Sequence, residues 1–118
     1  MSTSDRDFAT EWVQAWNSHD LERVLSHYDD TVTLISPRAQ LVLGIADGAV
    51  RGKAALRDYI KRALENVPDL SFTLERVFSG VNSVVMEFRT SDGRHGAELM
   101  DFAKNGRVAR VIAHYASE

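Results

Sequence analysis

From Leu70 onward the spacing of apolar residues changes from a helical period to a period of two, and this change constrains the fold more than any other feature. Apolar and polar residues alternate over about 70–79, 83–90, 95–104 and 107–116, and Gly80-Val81-Asn82, Asp92-Gly93 and Asn105-Gly106 separate the runs. Turns this short join antiparallel neighbours, so the second half of the chain reads as a four-stranded meander. One face of such a sheet is apolar and has to be covered.

The first half supplies the cover. Phe8, Trp12, Val13 and Trp16 recur at helical spacing after a polar tail over residues 1–6, and the repeat stops at "NSHD". Asp20 suits the N-cap of a second helix, with Leu21, Val24, Leu25 and Tyr28 on one stripe. "DDTVTLISP" reads as a turn into a short β-branched strand closed by Pro37. Gly52 precedes a third helix whose Leu56, Tyr59, Ile60, Ala63 and Leu64 share a face, and "NVPD" ends it. Residues 38–51 fit either a strand or a turn. The expected architecture is α+β: a single domain over 1–118, with three N-terminal helices on one face of a curved antiparallel sheet.

The last hairpin decides which of two acids in "GAELMDF" faces inward. A two-residue type I′ turn at Asn105-Gly106 pairs Lys104 with Arg107. That register sets Glu98 opposite Ala113 and Met100 opposite Val111 on the inner face, and Asp101 opposite Arg110 and Leu99 opposite Ile112 on the outer. It places Ala109, Val111, Ala113 and Tyr115 inward. Opposite charges and apolar residues paired across strands stabilise this register, and a slip of one residue loses both. If Ser91-Asp92-Gly93 forms a three-residue loop with a bulge at Gly93, then Val84, Met86, Phe88 and Thr90 share the inner face with Glu98. Two roles stay open for Glu98, a core acid satisfied by a neighbour or a functional carboxyl with a raised pKa.

Composition removes several classes of function. There is no cysteine, which excludes disulfides, thiol nucleophiles and Cys-based zinc sites. Seventeen acids against fourteen bases give a formal charge of −3, with no basic run to meet nucleic acid or an anionic membrane. "GAVRGKAA" lacks the first glycine and the hydroxyl residue of a phosphate loop, and His19, His27, His95 and His114 have no metal-ligand spacing. The expectation is a cytoplasmic protein without metal or cofactor. "MSTSDRDFATEW" has neither the basic nor the apolar segment of a secretion signal.

The succession of "WVQAWNSHDLERVLSHYDDTVTLISP", "GAVRGKAALRDYI", "VNSVVMEFR" and "AELMDFAKNGRVARVIAHYA" resembles the nuclear transport factor 2-like superfamily, and within it the SnoaL-like proteins, from about Phe8 to Ala116. The resemblance implies a cone-shaped cystatin-like α+β roll with a mostly apolar pocket at its wide end, and a homodimer through the outer face of the sheet. Trp12, Trp16, Tyr28, Ser36, Tyr59, Phe72, Met86, Phe88, Met100, Phe102 and Tyr115 are then candidates to line the pocket. Val85, Leu99, Asp101, Arg110, Ile112 and His114 are candidates for the dimer face. Beside the similar ketosteroid isomerases, Glu98 stands where that family keeps a protonated acid. Ser36, however, stands in place of its general-base Asp and Trp12 in place of its oxyanion-binding Tyr, which argues against steroid isomerisation. The Asp-Arg-Asp set of limonene epoxide hydrolases and the His pair of scytalone dehydratases have no counterpart.

Two functions follow from these readings. One is a SnoaL-like pocket that binds a small hydrophobic, oxygenated molecule and performs acid/base chemistry of the isomerase, cyclase or hydrolase kind through Glu98. The alternative is a non-catalytic homodimeric module that binds a ligand or a protein.

Overall fold

The computed structural model describes residues 3–117. In it, α1 (Thr3–Ser18) and α2 (Leu21–Leu25) lead into β1 (Tyr28–Ile35), followed by α3 (Pro37–Leu43), β2 (Ala49–Arg51) and α4 (Lys53–Asn66). The meander β3 (Phe72–Gly80), β4 (Ser83–Thr90), β5 (His95–Phe102) and β6 (Val108–Tyr115) completes the chain. All six strands form one sheet in the order β2-β1-β6-β5-β4-β3, with β1 parallel to β6 and every other pair antiparallel. The α+β class and the four-stranded meander are as the periodicity implies.

The first half departs from expectation in four places. Helix α1 takes in residues 3–6, assigned above to a tail, while residues 1 and 2 lie outside the described residues. Tyr28 is the first residue of β1 rather than the last of the α2 stripe. It is buried all the same. The stretch 38–51 holds both a helix and a strand, so the described residues form four helices instead of three. Ser36 caps α3, its hydroxyl accepting from the Arg38 amide at 3.1 Å, with Pro37 at the first helical position. Finally, β1 inserts beside β6, a parallel pairing between strands remote in sequence that alternation alone cannot reveal.

Capping follows local chemistry at the α1–α2 junction. Asp20 accepts from the Arg23 amide at 3.2 Å, the cap expected of it. The Asn17 amide ties α1 to the sheet by donating to the Phe72 carbonyl at 3.0 Å and accepting its N–H at 2.7 Å.

In the meander the two critical turns differ. Ser91-Asp92-Gly93 is the expected three-residue loop: the Thr90 amide reaches the Arg94 carbonyl at 2.8 Å, and Gly93 takes the positive φ of +89° that the bulge requires. The Asn105-Gly106 turn is not type I′. Only Gly106 has positive φ there, the Gly106 amide bonds the Ala103 carbonyl, and the Ala103 amide bonds the Arg107 carbonyl, which closes a loop of three residues. Lys104 therefore does not pair with Arg107. A bulge between Asp101 and Phe102 adds one residue on β6 and restores the register. Glu98 opposite Ala113, Leu99 opposite Ile112, Met100 opposite Val111 and Asp101 opposite Arg110 all hold. The bulge also reverses the parity of the start of β6, so Val108 is fully buried and Ala109 is not.

The core lies between the concave face of the sheet and α1 and α4. Val84, Met86, Phe88, Met100, Val108 and Val111 are fully buried on the sheet side, against Trp12, Leu56 and Ile60 from the helices. At ~1.5–3 kcal/mol for each large side chain removed from water, this layer supplies the main driving force for covering the sheet.

Candidate functional site

Where the helices do not fully fill the concave face, a cavity of about 40 Å³ remains. Glu98 reaches it from β5, Tyr28 and Leu34 from β1, and Ala113 and Tyr115 from β6. Trp16 closes it from α1, Tyr59 and Ala63 from α4, Leu70 from just before β3, and Phe72 from its first position. Ser36 and Arg38 border it at α3, and Arg94 at the β4–β5 turn. All of these are buried except Arg38, Arg94 and Tyr115, so the cavity opens to solvent between those three. At roughly 10–15 Å³ per water it holds on the order of three waters, well below the ~300 Å³ of a drug-sized site.

The lining is more polar than a hydrophobic ligand calls for. Three tyrosines, two arginines, a serine and a glutamate share it with the apolar side chains. A molecule larger than a few heavy atoms enters only if the Arg38 and Arg94 side chains swing aside.

Glu98 is the focus of this lining. It is 8% exposed, and among the described residues no hydrogen bond or ion pair engages its carboxyl. Burial pushes its pKa up to about 7, against a smaller opposing pull from the Arg94 guanidinium. That arginine is itself committed. Its Nε donates to both Asp92 carboxylate oxygens at 3.1 Å, and its guanidinium lies 5.3 Å above the Tyr115 ring. Asp92 is held below the usual carboxylate range by the Thr90 hydroxyl and Arg94, which outweigh its partial burial.

The tyrosines are weakly acidic for the same reason. Burial first, and the nearby Glu98 second, hold the Tyr28 and Tyr115 hydroxyls above the ordinary phenol range. Tyr59 is likewise raised by burial, partly offset by the neighbouring Ser36 hydroxyl. These hydroxyls stay protonated at neutral pH and can serve as donors. Tyr28 accepts from Trp12 Nε1 at 2.9 Å, which leaves its own proton free to point elsewhere. The neighbouring Trp16 indole lies close enough to favour the Tyr28 phenolate, but its N–H makes no hydrogen bond.

Of the residues expected at the pocket, Glu98, Trp16, Tyr28, Ser36, Tyr59, Phe72 and Tyr115 come together there. Trp12, Met86, Phe88 and Met100 do not line the cavity. They are packed in the core, Trp12 stacked 5.3 Å from Phe72. Phe102 packs edge-on against Phe8 at 5.0 Å, away from the cavity. Arg38 and Arg94 were not anticipated, yet both left a signal. Arg94 has the same parity as Gly96 and Glu98 on the inner face, and Ser36-Pro37 is a helix-start signature that places Arg38 in the first turn beside the site.

On the outer face, Val85, Leu99 and Ile112 are half-buried, and Arg110 stands 4.0 Å from Asp101 with His114 exposed beyond it. Further along, Glu75, Glu87 and His95 bring one ligand atom each to within 4.8 Å of one another. Adjacent strands assemble this cluster, which histidine spacing along the chain does not disclose. Arg89 pairs with Glu75 at 3.1 Å and Arg76 with Glu87 at 2.8 Å, so both carboxylates are already neutralised in an ion-pair network.

Residues 9–116 match the family model of the SnoaL-like domain. The chain belongs to the SnoaL-like family. Among solved structures it is similar to a SnoaL-like protein of unknown function from Burkholderia thailandensis E264, with 37% identity, a TM-score of 0.94, and a match covering 99% of this chain and 98% of that one. It also matches a SnoaL-like family protein from Agrobacterium tumefaciens str. C58, provisionally described as an isomerase, at 18% identity and TM-score 0.78 over 98% of this chain and 100% of that one. A protein from Shewanella denitrificans OS-217, provisionally described as a SnoaL-like polyketide cyclase, matches at 16% identity and TM-score 0.75 over 98% and 88%. The last two share the fold alone. No curated protein matches the chain. The curved sheet wrapped on helices is the SnoaL-like architecture, and no helix among the described residues is long and apolar enough to cross a membrane.

Proposed function

We propose that the cavity is a small-molecule site in which Glu98 acts as the acid/base group on an oxygenated substrate. The observation that carries this reading is a buried carboxyl, facing a cavity, that no protein group satisfies, with a pKa of about 7. A group poised near neutrality serves as proton acceptor and donor in turn. A proton leaving the carbon next to a carbonyl passes to the Glu98 carboxylate, the electron pair moves onto the carbonyl oxygen, and hydroxyl or indole donors around the cavity hold that oxygen. Return of the proton to a different carbon is isomerisation. The outer row of Val85, Leu99 and Ile112 supports a homodimer.

A non-catalytic binding module is favoured by one observation, that the Ser36 hydroxyl is occupied as a helix cap where related isomerases carry a base. Exchange of the α-protons of a small ketone such as butanone into heavy water, followed by proton NMR, separates the two readings. Faster exchange with the wild type than with folded Glu98→Gln supports acid/base action. Equal exchange with both proteins, together with a Glu98 pKa near 4.5 by carboxyl-labelled NMR, sinks it.

A further inference from the structure

Two groups at the cavity besides Glu98 stand out for lacking a partner, and they differ in chemistry. Trp16 is 8% exposed and lines the cavity, and its Nε1 is a buried donor with no acceptor. An unmet buried donor is uncommon, because each costs roughly 1–3 kcal/mol relative to a bonded one. Arg38 borders the same cavity on its solvent side. Four arginines have no ion pair among the described residues, and three of them, Arg6, Arg62 and Arg107, are exposed on the surface where water satisfies them. Arg38 alone of the four is half-buried.

We propose that the cavity takes a small organic carboxylate bearing a second oxygen, with the carboxylate paired to Arg38 and the second oxygen accepting from Trp16 Nε1. The inference rests on the cavity being a ligand site, and it adds the ligand's class. A guanidinium presents parallel N–H donors that match the two oxygens of a carboxylate. One free cation at the opening suits a monoanion, since the other arginine there, Arg94, is already neutralised by Asp92 at 3.0 Å. The same lining holds Glu98, beside which a second negative charge would be repelled. An oxo or hydroxyl group suits the buried part of the lining, where Trp16 offers an unmet N–H and Glu98 stands in the same chamber. Short oxo- and hydroxy-carboxylates combine these features in a small molecule, which the cavity admits once the Arg38 and Arg94 side chains swing aside.

The indole N–H signals of Trp12 and Trp16 in a nitrogen-15 correlation spectrum give a direct readout. Trp12 serves as internal reference, because its N–H is already bonded to Tyr28. The probes are 2-oxobutanoate, 3-hydroxybutanoate and 4-oxopentanoate, each beside its methyl ester. The expected result is a saturable shift of the Trp16 signal with at least one acid and about tenfold weaker binding of its ester. In Arg38→Met, which keeps the aliphatic stem, affinity for the acid falls about tenfold or more while the ester is unchanged. Arg38→Lys restores part of the loss. If ester and acid bind alike, or if Arg38→Met leaves the acid unaffected, the carboxylate inference is overturned and the cavity remains a site for neutral molecules. If neither acids nor esters move the Trp16 signal, the inference falls together with the reading of the cavity as a site for small oxygenated molecules.

Discussion

A carboxyl group with a folded-state pKa of about 7 and an ordinary value of 4.5 makes stability depend on pH in a specified direction. Below pH 4.5 the group is protonated in both states and contributes nothing. Between 4.5 and 7 the unfolded chain releases the proton and the folded chain keeps it, so stability falls as pH rises, and above 7 the full cost is present. At about 1.4 kcal/mol per pH unit, the cost reaches about 3 kcal/mol. Glu98→Gln removes it, so this variant should match the wild type near pH 4 and exceed it by up to about 3 kcal/mol at pH 8 in urea unfolding. Parallel pH profiles for the two proteins would rule out a desolvated Glu98. The surface acids do not confuse the test, because Glu11, Glu22, Glu87, Asp29 and Asp47 are held below their ordinary values and act at lower pH. Tyr28→Phe probes the other side of the cavity. It deletes the acceptor of Trp12 Nε1 at 2.9 Å and leaves a second buried indole unpaired, at a cost of about 1–3 kcal/mol. A loss under about 0.5 kcal/mol would mean that water takes the place of the hydroxyl.

At the scale of the strand, β5 shows how tightly the sheet is packed beside the cavity. A Cβ on Gly96 would lie 2.8 Å from the Phe88 ring and 3.0 Å from the His114 carbonyl oxygen. Neither can retreat, since one is backbone and Phe88 is fully buried between Trp12, Phe72 and Tyr115. Gly96→Ala should therefore cost about 1–3 kcal/mol by urea unfolding, whereas a neutral result would show that the sheet can spread at this point. Much of this element was legible in the sequence, because a period of two and two glycine turns fix which side chains share a face. The Asn105-Gly106 hairpin gave the right register by a wrong turn. Cross-strand pairing of Leu99 with Ile112 and Asp101 with Arg110 outweighed the turn, and the extra residue was absorbed in a bulge beside Ala109. What alternation does not carry is partnership between remote segments. The parallel seat of β1 beside β6, the arrival of Arg38 at the cavity and the Glu75–Glu87–His95 cluster all depend on it. Tyr28 was misassigned because one residue after a helix can keep both the helical spacing and a place in the next strand.

Across the whole molecule, one sheet a single layer thick separates two surfaces, and neighbouring residues serve opposite ones. Glu98 and Met100 face the helices, while Leu99 and Asp101 face out, where Leu99 lies opposite Ile112 and Val85. The strand's alternation thus uncouples the cavity from any contact made by the outer face. If that face joins two copies, sedimentation equilibrium at micromolar concentration should give twice the 13.2 kDa of the chain. Leu99→Asp would place an unpaired charge at the centre of the joint and return the mass to that of one chain. The same variant should leave the pKa of Glu98 near 7, since the carboxyl one residue away is across the sheet. Glu98→Gln should do the reverse, abolishing the titration without changing the mass. A wild type that sediments as one chain removes the dimer and leaves the cavity untouched. A Leu99→Asp protein that both dissociates and loses the raised Glu98 pKa would instead mean that the partner's weight on the outer face helps to keep the cavity dry.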